Sequence, residues 1–326
     1  MRVFVTGGAG FIGSHTVEAL VEAGHEITVW DDLSTGKRAN LAAVADRVAL
    51  LEGDVRDLAG LQAAVRQART EAILHLAAIP SVPRSVEEPI LTHAVNLTGT
   101  VNVLETARRE GIGRVVLACS AAIYGDQPGV PKTEEMAAGP TSPYGLEKWQ
   151  SEQYTALYSQ LFGLTTVSLR YFNVYGPRQD PHSPYSGVIS IFLDRLLAGQ
   201  APVIHGDGEQ TRDFIYVADV AEANRLALTE PLSDHQRFNI GRGEETTILR
   251  LYQLLCAIVG SEQAPVFGPP RTGDIFRSYT DPTRARTVLG LQPRYSVAQG
   301  LERLVEWYRS EAGLASTAHA GGPDEQ

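Results

Sequence analysis

The sequence predicts an α/β protein: a doubly wound parallel sheet (Rossmann) with a smaller C-terminal substrate-binding domain. Three observations carry that expectation. Short β-branched runs alternate with helix-spaced segments through the first half of the chain. A glycine-rich turn, Gly7–Gly13, joins the first β run to the first helical pattern. At 326 residues the chain exceeds the size at which a single core stops growing.

The elements follow in order. Arg2–Thr6 is a short β run, Ile12–Ala23 has helical spacing, and Glu26–Trp30 is again β-like. Val48–Leu51 and Ala72–Leu76 are apolar runs with the helix-like Leu58–Gln67 between them. Val95–Arg109 places Val95, Val101, Val103, Leu104 and Ala107 at helical spacing, and Arg114–Ala118 has a buried-strand pattern. Right-handed crossovers then cover both faces of the sheet. Pro177–Gly187, rich in Pro, Gly, Asp, His and Ser, is a loop and a candidate substrate lid. Beyond it Val188–Leu197 looks helical, Arg212–Val217 and Phe238–Ile240 look like short strands, and Thr247–Val259 and Val297–Arg309 like amphipathic helices. The expected division is 1–175 plus about 215–240 for the sheet domain and about 176–214 plus 241–311 for the smaller one. Residues 312–326, small and polar, read as a disordered tail.

Composition removes several function classes. Hydrophobic residues at 43% and charged residues at 20% fit an ordinary globular enzyme. A net charge of −10 argues against a nucleic-acid surface, which needs a basic footprint. Two cysteines, Cys119 and Cys256, make neither a disulfide scaffold nor a zinc site, so no metal is expected and a reducing cytoplasm is the simplest setting. The chain enters its first strand without a signal peptide and has no run of 18 apolar residues, so no membrane span is expected.

The chemistry lies in two short pieces. Gly8, Gly10 and Gly13 fit G-x-G-x-x-G, and Gly7, Gly10 and Gly13 fit a GxxGxxG reading. A tight turn, close approach of backbone to a pyrophosphate and close helix packing each need a missing side chain, and the helix start supplies N–H groups and partial positive charge. Asp31 lies 18 residues after Gly13, where a carboxylate accepts from ribose hydroxyls and repels a 2′-phosphate, so NAD is favoured over NADP. The competing reading makes Asp31 or Asp32 a turn-former before Ser34-Thr35-Gly36. Tyr144 and Lys148, four apart, share a face if helical. A nearby ammonium would favour the phenolate form of the tyrosine. Ser120 ends a strand, where ligands of such sheets sit, and its hydroxyl can bridge a substrate oxygen and the tyrosine.

With these residues in hand, the chain resembles the extended short-chain dehydrogenase/reductases over roughly residues 1–310. It is most similar to the UDP-glucose/UDP-N-acetylglucosamine 4-epimerases. The resemblance rests on TGGAGFIGSH at the N-terminus, DDLSTGKRAN, GDVRD (Gly53–Asp57), HLAA (His75–Ala78) and Asn96-Leu-Thr-Gly-Thr100. SAAIYG (Ser120–Gly125), SPYGLEK (Ser142–Lys148), RYFNVYGPRQDP (Arg170–Pro181) and RDFIYV (Arg212–Val217) complete it. It implies that Gly7, Gly10, Phe11, Ile12 and Gly13 contact the NAD pyrophosphate and that Asp31 binds the adenosine ribose. Asp54 and Val55 would flank the adenine, Ala77 and Ala78 would admit the cofactor, and Asn96 would lie on the nicotinamide side. Ser120, Tyr144 and Lys148 would be the catalytic group, with Tyr144 and Lys148 also touching the cofactor. Asn173 and Val188 would contact the sugar-nucleotide, Val203 and His205 would line the uracil, and Arg212, Arg271 and Asp274 would grip the diphosphate and uridine ribose. Ser278 would face the C2 substituent and leave room for an N-acetyl group. The implied reaction is a redox-neutral inversion at C4 of a UDP-sugar by a homodimer paired through Val95–Arg109 and Tyr144–Phe162.

Three positions depart from the family's common pattern: Cys119 where serine is frequent, Asp32 where asparagine is, and Pro80 where some members carry a cofactor-touching lysine. A 4,6-dehydratase needs an acid and a base beside the triad hydroxyl, and Ala121-Ala122 supply neither. A UDP-glucuronate decarboxylase, a pentose or uronate 4-epimerase and a non-catalytic NAD-binding protein are the alternatives that remain open at this stage.

Overall fold

The computed structural model describes residues 1–179, 187–270 and 275–319, with side chains through Ser310. The chain runs β1 (Arg2–Thr6), α1 (Phe11–Glu22), β2 (Glu26–Asp31), β3 (Val48–Glu52), α2 (Leu58–Gln67), β4 (Ala72–His75), α3 (Val82–Glu87), α4 (Pro89–His93), α5 (Gly99–Glu110) and β5 (Arg114–Ser120). It continues α6 (Pro143–Phe162), β6 (Thr165–Tyr171), β7 (Asn173–Tyr175), α7 (Val188–Leu197), β8 (Val203–His205), β9 (Thr211–Arg212), β10 (Phe214–Tyr216) and α8 (Val217–Thr229). The remainder is β11 (His235–Ile240), β12 (Thr246–Thr247), α9 (Ile248–Val259), β13 (Val266–Gly268), β14 (Arg277–Ser278), α10 (Thr283–Thr287) and α11 (Val297–His319).

Seven strands form one sheet in the order β11-β6-β5-β4-β1-β2-β3, and every pairing is parallel. This is the expected doubly wound sheet. Its strand order reverses between β1 and β4, which opens a crevice at their carboxyl ends. The strands hold because both faces are buried: Val3, Val5, Leu74, Val116, Val167 and Phe238 pack on one side, and Phe4, Ile73, Val115 and Leu104 on the other. A second apolar cluster, built on Phe192, Leu196, Leu251, Leu255, Leu301 and Leu304, lies under α7, α9 and α11. Around it sit short sheets, β12-β9-β14, β13-β8 and β10-β7.

Local departures from the periodicity have physical causes. The pattern predicts one helix over Val95–Arg109. The chain makes a π turn at Ala94–Thr98 before α5, and the Asn96 carbonyl there accepts from both Thr100 and Ser151 hydroxyls. The expected strand Arg212–Val217 breaks at Asp213. Its buried carboxylate accepts from the N–H groups of Arg242, Gly243 and Thr280 (2.8, 2.9 and 3.2 Å). β6, unassigned above, alternates Thr166, Ser168 and Arg170 with Val167, Leu169 and Tyr171, and all six are buried. Arg170 is nonetheless buried there, on Glu152 of α6. The last helix runs to His319, past the position where the composition begins a tail, and residues 320–326 lie outside the described residues, as do 180–186 of the Pro177–Gly187 loop.

A buried polar chain ties β1 and β4 to the π turn. Thr100 Oγ1 donates to Asn96 O at 2.6 Å, so it must accept from His75 Nε2 at 3.1 Å. The imidazole is therefore protonated on Nε2, and its bare Nδ1 accepts from Thr6 Oγ1 at 2.7 Å. Thr6 Oγ1 in turn accepts from Ala77 N at 3.3 Å. Burial pushes the His75 pKa from 6.5 down to about 3. Unfolded His75 binds a proton below pH ~6.5 while the folded residue does not, so stability falls as pH falls across that window. Urea midpoints measured from pH 7 to pH 4 are expected to fall, with His75 contributing about 1.4 kcal/mol per pH unit. His75→Gln should reduce that slope, leaving the parts due to His235, His15 and His25, also held low by burial, and the opposing part from Asp213, which burial raises to about 6. An unchanged slope in the variant would overturn the assignment.

Candidate active site

The glycine turn sits at the crevice between β1 and β4. Gly7 has φ +72°, and a Cβ there would meet Ala77 N at 2.6 Å. A Cβ on Gly13 would meet Gly7 O at 2.1 Å, so close packing of α1 on β1 requires both glycines. Gly10 differs: its Cβ would find only Gly7 O, at 3.3 Å. The protein itself leaves that side of Gly10 open. The helix N-terminus with Phe11, Ile12 and Gly13 begins there without a side-chain cap. A pyrophosphate needs such an uncrowded backbone and such free N–H groups, so these residues fit a dinucleotide.

Asp31 ends β2 beside this turn. Its Oδ2 accepts from Ala9 N and its Oδ1 from Leu33 N, both at 2.9 Å. Burial raises its pKa, and the two amides oppose that. The carboxylate thus shapes the turn, as does Asp32 through Ser34, and each oxygen of Asp31 keeps acceptor capacity for a hydroxyl. The turn-forming reading of Asp31 is the one its contacts show. Asp54 is engaged by Arg56, whose guanidinium and N–H hold its carboxyl below the usual range. Val55 is buried, and Asn102 Nδ2 donates to its carbonyl at 2.9 Å. Ala77 and Ala78 follow β4, and Asn96 reaches this segment by accepting from Ile79 N at 2.7 Å and donating to Ile79 O at 3.2 Å.

Tyr144 lies in the first turn of α6. Ser142 caps the helix through Gly145 N at 3.1 Å and Pro143 occupies its start. The Tyr144 N–H donates to Ser85 Oγ at 3.0 Å. Its phenol is buried beside Ser120, at the carboxyl end of β5. Lys148, one turn on, is buried and donates from Nζ to Ala118 O at 2.9 Å. The structure thus brings Ser120, Tyr144 and Lys148 to one strand end. It does not show the expected lowering of the phenol. Burial pushes Tyr144 up to about 12, opposed by the neighbouring Ser120 hydroxyl, and the ammonium is turned to Ala118 O. Burial lowers the Lys148 pKa.

The remaining candidates cluster on the small sheets. Asn173 N and Nδ2 both donate to Asp213 O, at 3.0 and 3.2 Å. Arg212 on β9 donates to Thr211 O and Ile275 O, and Ser278 on β14 is its register partner. Val203 and His205 lie on β8, with His205 Nδ1 3.2 Å from Pro269 O, and Val188 opens α7. Arg271 and Asp274 lie outside the described residues. A groove lined by Arg2, His25, Thr28 and Arg47 lies at the amino ends of the strands, the wrong end for a ligand of such a sheet.

Sequence reasoning missed Ser85, Thr92 and Glu147. Glu147 offered a signal: three residues after Tyr144, it places a carboxylate on the buried face of α6.

Residues 3–241 match the NAD dependent epimerase/dehydratase family. The UDP-glucose 4-epimerase of Mycolicibacterium smegmatis is 42% identical, over 96% of this chain and 100% of that protein. The Thermotoga maritima UDP-glucose 4-epimerase, solved with UDP-glucose, superposes with a TM-score of 0.91 at 40% identity, covering 96% of this chain and 100% of that one. The Thermus thermophilus UDP-glucose 4-epimerase, solved with NAD, gives 0.86 at 42% identity, covering 95% and 99%. The glycine cradle, the meeting of Ser120, Tyr144 and Lys148 at one strand end and these matches agree, and the chain belongs to the NAD dependent epimerase/dehydratase family.

Proposed function

We propose that this chain is a UDP-sugar 4-epimerase, acting on UDP-glucose and UDP-galactose and, through the room at Ser278, on UDP-GlcNAc and UDP-GalNAc. The observation that carries the reading is the convergence of Ser120, Tyr144 and Lys148 at the carboxyl end of β5, with Lys148 Nζ anchored on Ala118 O. Bound NAD supplies a reversible hydride acceptor at C4 of the sugar. The glycine turn and Asp31 hold its pyrophosphate and ribose, and Asp54, Val55, Ala77, Ala78 and Asn96 line the rest. Tyr144 exchanges a proton with the C4 oxygen, and Ser120 holds that oxygen. Burial keeps Tyr144 a phenol, the form that gives a proton to a carbonyl oxygen. If the ammonium of Lys148 turns from Ala118 O toward the phenol, it favours the opposite form, in which Tyr144 takes the hydroxyl proton. One group thus serves both directions. Ala121 and Ala122 in the turn after Ser120 carry no proton to move, which disfavours a dehydratase.

The sugar must turn over between the two half-reactions, so affinity belongs in the nucleotide. We assign that grip to Asn173, Val188, Val203, His205, Arg212, Arg271 and Asp274. The same reading divides the chain into 1–175 plus about 215–240 and about 176–214 plus 241–311. It places the protein in the cytoplasm, in galactose metabolism, where its two unbridged cysteines fit. It makes the enzyme a homodimer: on α6 Leu146, Tyr154, Leu157, Leu161 and Phe162 are all at least 40% exposed, an apolar stripe its own sheet does not cover.

Three measurements test this. Tyr144→Phe should cut UDP-galactose turnover by more than about 100-fold while the protein keeps its NAD; undiminished turnover would sink the mechanism. Ser278→Tyr should lose the N-acetylated pair selectively and leave UDP-glucose turnover, because Ser278 sits in register with Arg212. Equal loss of both pairs, or wild-type protein idle on UDP-GlcNAc, would reject the pocket assignment. Light scattering at micromolar concentration should give twice the 35.3 kDa chain mass, and a monomeric mass would refute the dimer.

A further inference from the structure

Glu147 lies between the two catalytic candidates in sequence, and nothing in the reaction uses it. Its carboxylate is buried, 3% exposed, on α6. Oε1 accepts from Thr92 Oγ1 at 2.8 Å and Oε2 from Asn96 Nδ2 at 2.7 Å. A carboxylate only accepts, so the nitrogen of the Asn96 amide must face Glu147. That leaves Oδ1 to accept from Ile79 N at 2.7 Å, while Nδ2 also reaches Ile79 O at 3.2 Å. The amide therefore clamps both main-chain groups of Ile79, directly after the Ala77-Ala78 segment that meets the glycine turn. With the amide reversed, an oxygen would face a carboxylate and an NH₂ would face the Ile79 N–H. Both contacts would be lost at a site where Asn96 and Glu147 are buried from solvent. The Asn96 carbonyl is independently held by Thr100 and Ser151, so only the side chain is left for Glu147 to set.

We propose that Glu147 is a positioning residue: through the Asn96 amide it fixes the strand end of β4 against the helix that carries Tyr144 and Lys148. This rests on the proposed function, in which the first side faces the cofactor and the second the C4 oxygen. A single acceptor-only group then sets the distance between the two reacting partners. Its energetic cost, a carboxylate removed from water, is offset by two hydrogen bonds and by the nearby ammonium. The charged and titratable groups around Lys148 are Glu147 on α6, Cys119 on β5, held as a neutral thiol by burial, and His75 on β4, held neutral by burial.

The arrangement separates three variants. Glu147→Ala removes both acceptors. Glu147→Gln keeps an oxygen for Asn96 Nδ2, and its NH₂ can donate to Thr92, whose proton turns to Pro89 O, already 3.3 Å away. Thr92→Val removes one anchor in a buried site and keeps the side-chain shape. The experiment measures kcat and KM for UDP-galactose, NAD dissociation by thermal shift with added NAD, and the urea midpoint, on purified full-length protein. Wild-type turnover is measured first, and its absence would count against the proposed function and not against Glu147. With wild type active, Glu147→Ala should lose about 10-fold or more in kcat and weaken NAD retention, with KM for UDP-galactose within about two-fold, since a misplacement near 1 Å suffices for such a loss. Glu147→Gln should recover most of that loss. Thr92→Val should move kcat and NAD retention the same way by about three-fold, which keeps the test alive if the alanine variant does not fold. Full kcat and NAD retention in both Glu147→Ala and Thr92→Val would overturn the proposal. So would a Gln variant as impaired as Ala, or a rise in KM matching the fall in kcat.

Discussion

Everything at the ligand end of this molecule depends on one close contact, the backbone of Gly7 against the backbone of Ala77. A Cβ at Gly7 would lie 2.6 Å from Ala77 N, so the two chain segments leaving β1 and β4 meet without side chains between them. Beneath that contact the Thr6–His75 bond joins the same two strands inside the sheet. The crevice of a doubly wound sheet opens where strand order reverses, and here its two lips are tied at two depths. Gly13 against Gly7 O adds the third constraint, which sets α1 as close to β1 as a helix can lie. A cradle formed this way is fixed before any ligand arrives, and preorganisation of this kind reduces the ordering cost of binding.

Helix α6 carries the second half of the design on two unlike faces. The inner face is unusually polar: Tyr144, Glu147, Lys148, Ser151, Glu152 and Thr155 are all buried. Each has a partner. Glu152 pairs with Arg170 at 2.5 Å, Ser151 donates to Asn96 O of the π turn and Thr155 to Glu152 O one turn back. The outer face is apolar and exposed. This inversion explains why the helix has no clear amphipathic signature of the usual sign. A helix whose polar side faces inward must satisfy every group there, because each orphan would cost about 1–3 kcal/mol. The resulting network fixes the rotation of the helix about its axis, and with it the aim of Tyr144 and Lys148.

The sheet was legible in the sequence because its strands are β-branched and buried on both faces. Leu58–Gln67 and Val188–Leu197 match their helices residue for residue. The elements that escaped are those where polar chemistry outweighs apolar pattern. β6 alternates Thr, Ser and Arg with its apolar residues, and Arg170 on it is buried only because Glu152 comes from another element. The π turn at Ala94–Thr98 leaves no trace in hydrophobic spacing; it exists because Asn96 serves four partners at once. The candidate catalytic residues were readable as residue types at a spacing, and the structure brings the three to one strand end. Their protonation was not readable. It depends on burial and on the direction of the Lys148 side chain, which only tertiary structure sets.

The break at Asp213 joins the two halves of the site. Its carbonyl receives both donors of Asn173, and its carboxylate receives three N–H groups from Arg242, Gly243 and Thr280. Burial raises its pKa to about 6, so the ionised form is costly and the three donors are what hold it. Arg212 precedes it and Phe214 follows it in register with Asn173. The position of the cationic side chain is therefore set by the same residue that anchors β7 next to the catalytic sheet. An enzyme that inverts a sugar centre has to hold the nucleotide still while the sugar turns. By holding β7 through Asn173 and the turn after β11 through Arg242 and Gly243, Asp213 couples the small sheets to the seven-stranded sheet by geometry alone.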